Sequence, residues 1–151
     1  MRKDPKPRPI VGWREWIALP DLGISDIKAK IDTGARTSAL HAYDVAIVER
    51  EDGPFARFKV HPIQRDEVTW VEAEAPLVDE RRVRSSSGQE EHRPVILTTV
   101  VVRGIRFHIE VTLTRRDAMG FRMLLGRRAL RRRFHVDPGR SYYGGKPEGN
   151  P

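Results

Sequence analysis

The chain predicts an all-β domain: a barrel of short strands with one short helix near the C-terminus. Three observations lead there. Runs rich in β-branched and aromatic residues follow one another along the sequence, several of them alternating with polar residues at a period of two. Turns containing glycine or proline separate these runs at short intervals. Helical spacing is confined to one stretch near residues 126–133. With 151 residues and no internal repeat, the chain is most simply one domain, large enough to bury a core without staples.

Residues 1–9 alternate charge and proline, cannot form a helix or a ladder, and read as a flexible basic arm. Residues 10–19 read as a first strand, kinked at Gly12 and stopped by Pro20-Asp21. After a turn at 22–25, Ile27, Ala29 and Ile31 alternate with Lys28 and Lys30, so one face of this strand is buried as it runs into Asp32. Residues 37–42 fit either a short strand or a helical turn. Asp52-Gly53 between 44–49 and 55–60 is a hairpin cue. Residues 68–78 form a strand with Pro76 at its end or on an edge. Residues 81–93 are polar and glycine-tipped, and 94–102 is the strongest strand. Arg103-Gly104 turns it into the alternating run 105–113. A turn at 114–120 leads to the apolar run 121–125. The helix expected over 126–133 faces Ala129 and Leu130 inward, with Phe134 one turn beyond Leu130. Residues 134–137 make a last strand, and the Gly/Pro-rich 138–151 reads as a loose tail. The expected organisation is therefore arm 1–9, barrel 10–137 and tail 138–151.

Lysine and arginine number 28 against 21 acids, a formal charge of +7 that draws acidic partners. The absence of cysteine excludes disulfides and thiolate metal sites. No apolar run approaches the roughly 20 residues of a membrane span, and the basic N-terminus lacks the apolar core of a secretory signal. A soluble cytoplasmic protein with no membrane contact is expected. His41, His61, His92, His108 and His135 show no ligand spacing, and His-Glu-x-x-His is absent. The Gly-rich Lys-Ser/Thr loop of nucleotide binders is absent too, so no metal or other cofactor is expected. The basic run 127–133 reads first as a solvated face. No RNA-binding signature or stacking aromatic pattern accompanies it, which argues against nucleic acid as a partner.

The chemistry concentrates in Asp32-Thr33-Gly34-Ala35 and Leu124-Leu125-Gly126-Arg127. A tight Thr-Gly turn after a strand presents a carboxylate outward while backbone N–H groups hold it. Asp-Thr-Gly alone is ordinary turn composition. Followed in order by two aliphatics, glycine and arginine, it resembles the paired signatures of retroviral-type aspartic proteases. More broadly, about residues 10–143 resemble the retropepsin-like family of bacteria and archaea often labelled ATP-dependent zinc proteases and associated with ATP-grasp glutamate ligases. The matches are Ala29-Lys30-Ile31, 37–41, 82–88, 110–113, Arg116, Met119 and Val136-Asp137-Pro138, besides the two signatures.

The resemblance implies a closed six-stranded acid-protease barrel and an aspartic endopeptidase that works as a homodimer. Asp32 of two subunits would share a proton and activate water for peptide hydrolysis. Thr33 would brace the paired turns, with Gly34 in the catalytic turn and Ala35 lining the cleft. In that plan a glycine-tipped hairpin between the two signatures closes over substrate. Of the two candidates, 51–54 and 81–93, the second has the smaller tip. Arg82, Arg84, Ser86 and Gly88 are therefore expected to contact a peptide or protein substrate, acidic or glutamate-modified. Arg36 stands where viral enzymes carry an acid that pairs with the arginine of the second signature, so that pairing cannot form here. An ATP-grasp glutamate ligase is an expected partner. The alternative is a non-catalytic module of the same fold that binds acidic peptide, a glutamate ligase or nucleic acid.

Overall fold

A computed structural model of the chain describes residues 7–63, 66, 68–84, 87–115 and 120–147. Its strands are β1 (Ile10–Val11), β2 (Arg14–Leu19), β3 (Ile24–Asp32), β4 (Ser38–His41), β5 (Tyr43–Arg50) and β6 (Gly53–Val60). They continue with β7 (Val71–Arg84), β8 (Glu90–Val102), β9 (Ile105–Thr114), β10 (Met123–Gly126) and β11 (His135–Val136). Among the described residues one α-helix, α1 (Arg127–Leu130), follows β10, and one 3-10 turn, Pro20–Leu22, precedes β3. The order β2-β3-β10-β4-β9-β8 returns to β2 through the Ala18–Val101 pair, closing a six-stranded barrel. β7, β6 and β5 extend the sheet outward from β8, and β1 pairs in parallel with β11.

Alternation explains the barrel. Ile17 and Leu19 of β2, Ile27, Ala29 and Ile31 of β3, and Ile109, Val111 and Leu113 of β9 all point inward. Leu40, Val100, Val102, Met123 and Leu125 fill the space between them. Each such aliphatic contributes about 1.5–3 kcal/mol by leaving water. The inward set on β3 forces Lys28, Lys30 and Asp32 onto its outer face, because strand side chains alternate. Arg103 and Gly104 both have positive φ, 52° and 76°, as the tightest hairpin turns require.

Residues 37–42, open to two readings from sequence, contain the strand β4. The expected first strand is broken at Gly12, where a Cβ would lie 2.1 Å from the Arg140 carbonyl oxygen. Pro76 sits inside β7 and marks a change of partner: β7 pairs with β6 up to Pro76 and with β8 from Leu77 onward. Having no N–H, proline fits the point where one ladder ends. The helix expected over 126–133 stops after Leu130. Arg131 is extended and Arg132 has a φ of 67°. Arg127, Arg128, Arg131 and Arg132 would repel at helical i, i+4 spacing, which removes the incentive to continue. Ala129, Leu130 and Phe134 are buried as expected.

The loose tail expected from residue 138 does not describe residues 140–144. Glu15 is buried, and its carboxylate accepts N–H groups from Gly12 (2.7 Å), Tyr143 (2.9 Å) and Gly144 (3.0 Å). Trp13 N–H donates to the Arg140 carbonyl and Tyr142 N–H to that of Arg14. A buried carboxylate needs such donors, and here the C-terminal segment supplies two of them. Among the described residues no helix is long and apolar enough to cross a membrane.

Candidate active site

β3 delivers Asp32 at its last position, and β10 runs beside it in parallel. Their register pairs Met123 with Ala29, Leu124 with Lys30, Leu125 with Ile31 and Gly126 with Asp32. The two signatures, remote in sequence, are thus neighbouring strands whose ends coincide. After Asp32 the chain turns back on the carboxylate. Oδ1 accepts N–H groups from Gly34 (3.0 Å) and Ala35 (3.1 Å). Hydrogen bonds from amides to an ionised oxygen are among the stronger ones. Oδ2 is left on the outer side, where the Lys30 ammonium lies 3.8 Å away. The Asp32 side chain remains 28% exposed, so water can reach it.

The turn is braced from β10 and α1. Gly126 N–H donates to the buried Ser38 Oγ at 3.0 Å. Arg127 N–H donates to the Ala35 carbonyl (2.7 Å) and Arg128 N–H to that of Arg36 (3.1 Å). The first N–H groups of a helix have no partner within it, and here two of them hold the Asp32 turn. The Arg127 guanidinium donates to the Thr33 carbonyl at 3.3 Å. This arginine, deprived by Arg36 of an acidic partner at that position, uses backbone instead. Sequence reading passed over Ser38 and Lys30 as site residues. The alternation of β3, which puts Lys30 on the face of Asp32, was the signal for the latter.

Arg82, Arg84 and Gly88 belong to the long β7–β8 hairpin. Its arms pair Arg82 with His92 and Arg84 with Glu90, and Gly88 turns with a φ of 86°. Ser86 lies outside the described residues. Arg82 and Arg84 both face the Glu90 carboxylate at 3.9 Å and are about three-quarters exposed. Exposed pairs of this kind hold weakly, which leaves both arginines able to change partner. Their described contacts stay within the hairpin and do not join it to the Asp32 turn.

Beside the hairpin lies a pocket of about 450 Å³, flanked by Ala42, Val45, Ile47, Leu113 and His92; Asp32 does not line it. Glu91, paired with Val83 near the hairpin tip, ties the hairpin to the end of β9 at this pocket. Its carboxylate accepts from Arg93 (2.9 Å), Thr114 Oγ1 (3.3 Å) and Arg115 N–H (3.3 Å). Partial burial pushes its carboxyl group up, but these donors outweigh burial and hold it below the ordinary glutamate range. A carboxylate depressed in the folded state stabilises above its unfolded value, and that contribution is lost as pH falls through the folded value. Amide protection at Arg115 is therefore expected to drop below about pH 4.3, the ordinary glutamate value. Hydrogen exchange on wild type and Glu91→Gln checks this. Equal protection in the two proteins at pH 7 and pH 4 would remove Glu91 as the anchor.

A family model described as RimB-like, retropepsin-like aspartic endopeptidase RimB, matches residues 10–147. The chain belongs to the RimB-like family. The match spans both signatures, the hairpin and the Glu15-bound C-terminal segment. Among curated relatives, a probable alpha-L-glutamate ligase of Shewanella pealeana is 44% identical over 133 residues, covering 88% of this chain and 29% of that protein. One of the same name from Parasynechococcus marenigrum is 46% identical over 129 residues, covering 85% and 28%. The chain thus spans less than a third of the length of these relatives. A crystal structure of a Legionella pneumophila protein of unknown function superposes with a TM-score of 0.76 at 28% identity, covering 90% of this chain and 98% of that one. Among the described residues no group of three or more His, Asp or Glu side chains is placed to hold a metal ion.

Proposed function

We propose that the chain is an aspartic endopeptidase of retropepsin type, acting as a homodimer in which Asp32 from each subunit meets its mate across a twofold axis. The observation that carries this reading is the Asp32 turn, with Oδ1 tied to backbone and Oδ2 turned outward. One chain supplies one such carboxylate, whereas hydrolysis needs two. When two carboxylates share a site they cannot both ionise, as aspartic proteases illustrate. The ionised member takes a proton from water, and the resulting hydroxide attacks the scissile carbonyl carbon. The protonated member gives its proton to the carbonyl oxygen. Collapse of the tetrahedral diol breaks the C–N bond: the amine leaves with a proton from the dyad, and one diol hydroxyl returns a proton to it, so the pair ends with one shared proton again. Symmetric pairing of one surface with itself is the commonest way to build such a site.

The substrates in this reading are acidic or glutamate-modified peptides, met by the hairpin arginines. Arg82→Ala with Arg84→Ala is expected to lower kcat/KM on an acidic peptide by about tenfold, the loss typical of charge-assisted contacts. A neutral peptide should be little affected, and the difference should shrink at high salt. Equal losses on both peptides, or none, would take the arginines out of recognition.

A second reading has its own support, because the curated relatives are named as glutamate ligases and are more than three times as long as the matched segment. In it the barrel is a non-catalytic module serving a ligase of the ATP-grasp type. A cleavage assay with wild type and Asp32→Ala separates the two. Turnover lost in the variant supports the protease, and ligase co-purification independent of Asp32 with no turnover supports the module. A cytoplasmic site of action fits either reading.

A further inference from the structure

The outer face of β3 carries Lys28 and Lys30, with Arg14 beside them on β2, and of these three cations Lys30 points its charge at the Asp32 carboxylate. Lys28 places its ammonium over Trp16 and Tyr142, at 5.3 and 6.0 Å from the ring centres. Arg14, paired with Lys30 across the β2–β3 ladder, is held between Trp13 and Tyr142 at 4.5 and 4.8 Å. Lys30 instead lies 3.8 Å from Asp32 Oδ2, close enough for an ion pair but too far for a hydrogen bond. Its N–H donors are therefore not spent on Asp32. Oδ2 is also the oxygen beside which water and the scissile bond must lie, so Lys30 borders the reacting atoms.

We propose that Lys30 is a specificity-determining residue that binds a substrate carboxylate on a residue flanking the scissile bond. The inference rests on the Asp32 dyad described above. Two Asp32 groups sharing one proton carry one negative charge, whereas the twofold brings two Lys30 ammonium groups. The floor of the cleft then holds one surplus positive charge. A neutral peptide buries that charge unpaired, which is costly in a water-poor site. A glutamate or aspartate next to the scissile bond neutralises it with a charge-assisted hydrogen bond. The hairpin arginines are a separate element, since their described contacts stay within the hairpin while Lys30 lies beside Asp32.

The test uses peptide pairs that differ only by Glu or Gln on either side of the cleaved bond, assayed with wild type, Lys30→Met and Lys30→Arg. Wild type is expected to favour Glu on at least one side by about 10- to 100-fold in kcat/KM, mostly through KM, the range set by a hydrogen bond to a charged group. Lys30→Met should bring that ratio to within about threefold of unity, while Lys30→Arg keeps most of it because the charge remains. A lysine that only positioned Asp32 would instead lower kcat equally on both peptides. No Glu preference in wild type, or an unchanged ratio in Lys30→Met, overturns the proposal. Should Lys30→Met turn over neither peptide, binding of the same pair as uncleavable reduced-amide analogues decides: a retained Glu preference overturns it and a lost one supports it. Cleavage surviving in Asp32→Asn would remove the dyad itself, an outcome distinct from any of these.

Discussion

Asp32→Asn is expected to lower kcat/KM for peptide cleavage by about a thousandfold or more, the scale on which a general acid–base partner acts. The substitution is chosen for what it keeps. An asparagine side-chain oxygen can accept the same two N–H groups, from Gly34 and Ala35, that Oδ1 accepts at 3.0 and 3.1 Å. The turn should therefore survive while the shared proton is lost. Circular dichroism and the melting temperature should match wild type, so that lost activity reports chemistry and not unfolding. An active Asp32→Asn protein would assign the hydrolysis to other groups or to a contaminant.

Gly126→Ala should be the most damaging small change near the site. A Cβ on Gly126 would lie 2.4 Å from the Thr37 carbonyl oxygen and 3.0 Å from that of Ala35. Both are backbone atoms that cannot swing aside as a flexible side chain could. The strand end or the Asp32 turn must move, and with it the bonds from Gly126 N–H to Ser38 and from Arg127 N–H to Ala35. A loss of about 3 kcal/mol or more is expected from such overpacking, accompanied by loss of cleavage even under conditions where the protein stays folded. Urea denaturation and kcat measured on the folded fraction check both parts. A variant with unchanged midpoint and rate would show that β10 does not constrain the turn.

Much of this architecture was legible because strand alternation is a strong signal. The β3 pattern Ile27, Ala29, Ile31 set its inner face, and the Arg103-Gly104 and Asp52-Gly53 turns set two hairpins. The pairing of the Asp32 turn with β10 is legible through a motif, since Asp32 to Ala35 gains meaning only beside Leu124 to Arg127. What sequence could not convey was long-range. Nothing local indicates that Gly12 must stay small for Arg140, or that Glu15 will be buried against Tyr143 and Gly144. A Gly/Pro-rich composition reads as loose until the acceptor its N–H groups satisfy is known. Ala129, Leu130 and Phe134 fit a helical face that extends to residue 133, but repulsion among the arginines at i, i+4 ends the helix at Leu130. By composition alone Pro76 suits a strand end or an edge. It ends one ladder of a strand that continues with a second partner.

The central claim is that one Asp32 from each of two chains makes a single active site. Heterodimers carrying one wild-type protomer and one Asp32→Asn protomer, isolated by tandem purification on two different tags, test it most directly. Sharing of one proton between two carboxylates predicts that the heterodimer retains no more than a few hundredths of wild-type kcat, about the level left when either partner of an acid–base pair is removed. Half of wild-type activity would mean that each chain acts alone, and would contradict the dyad.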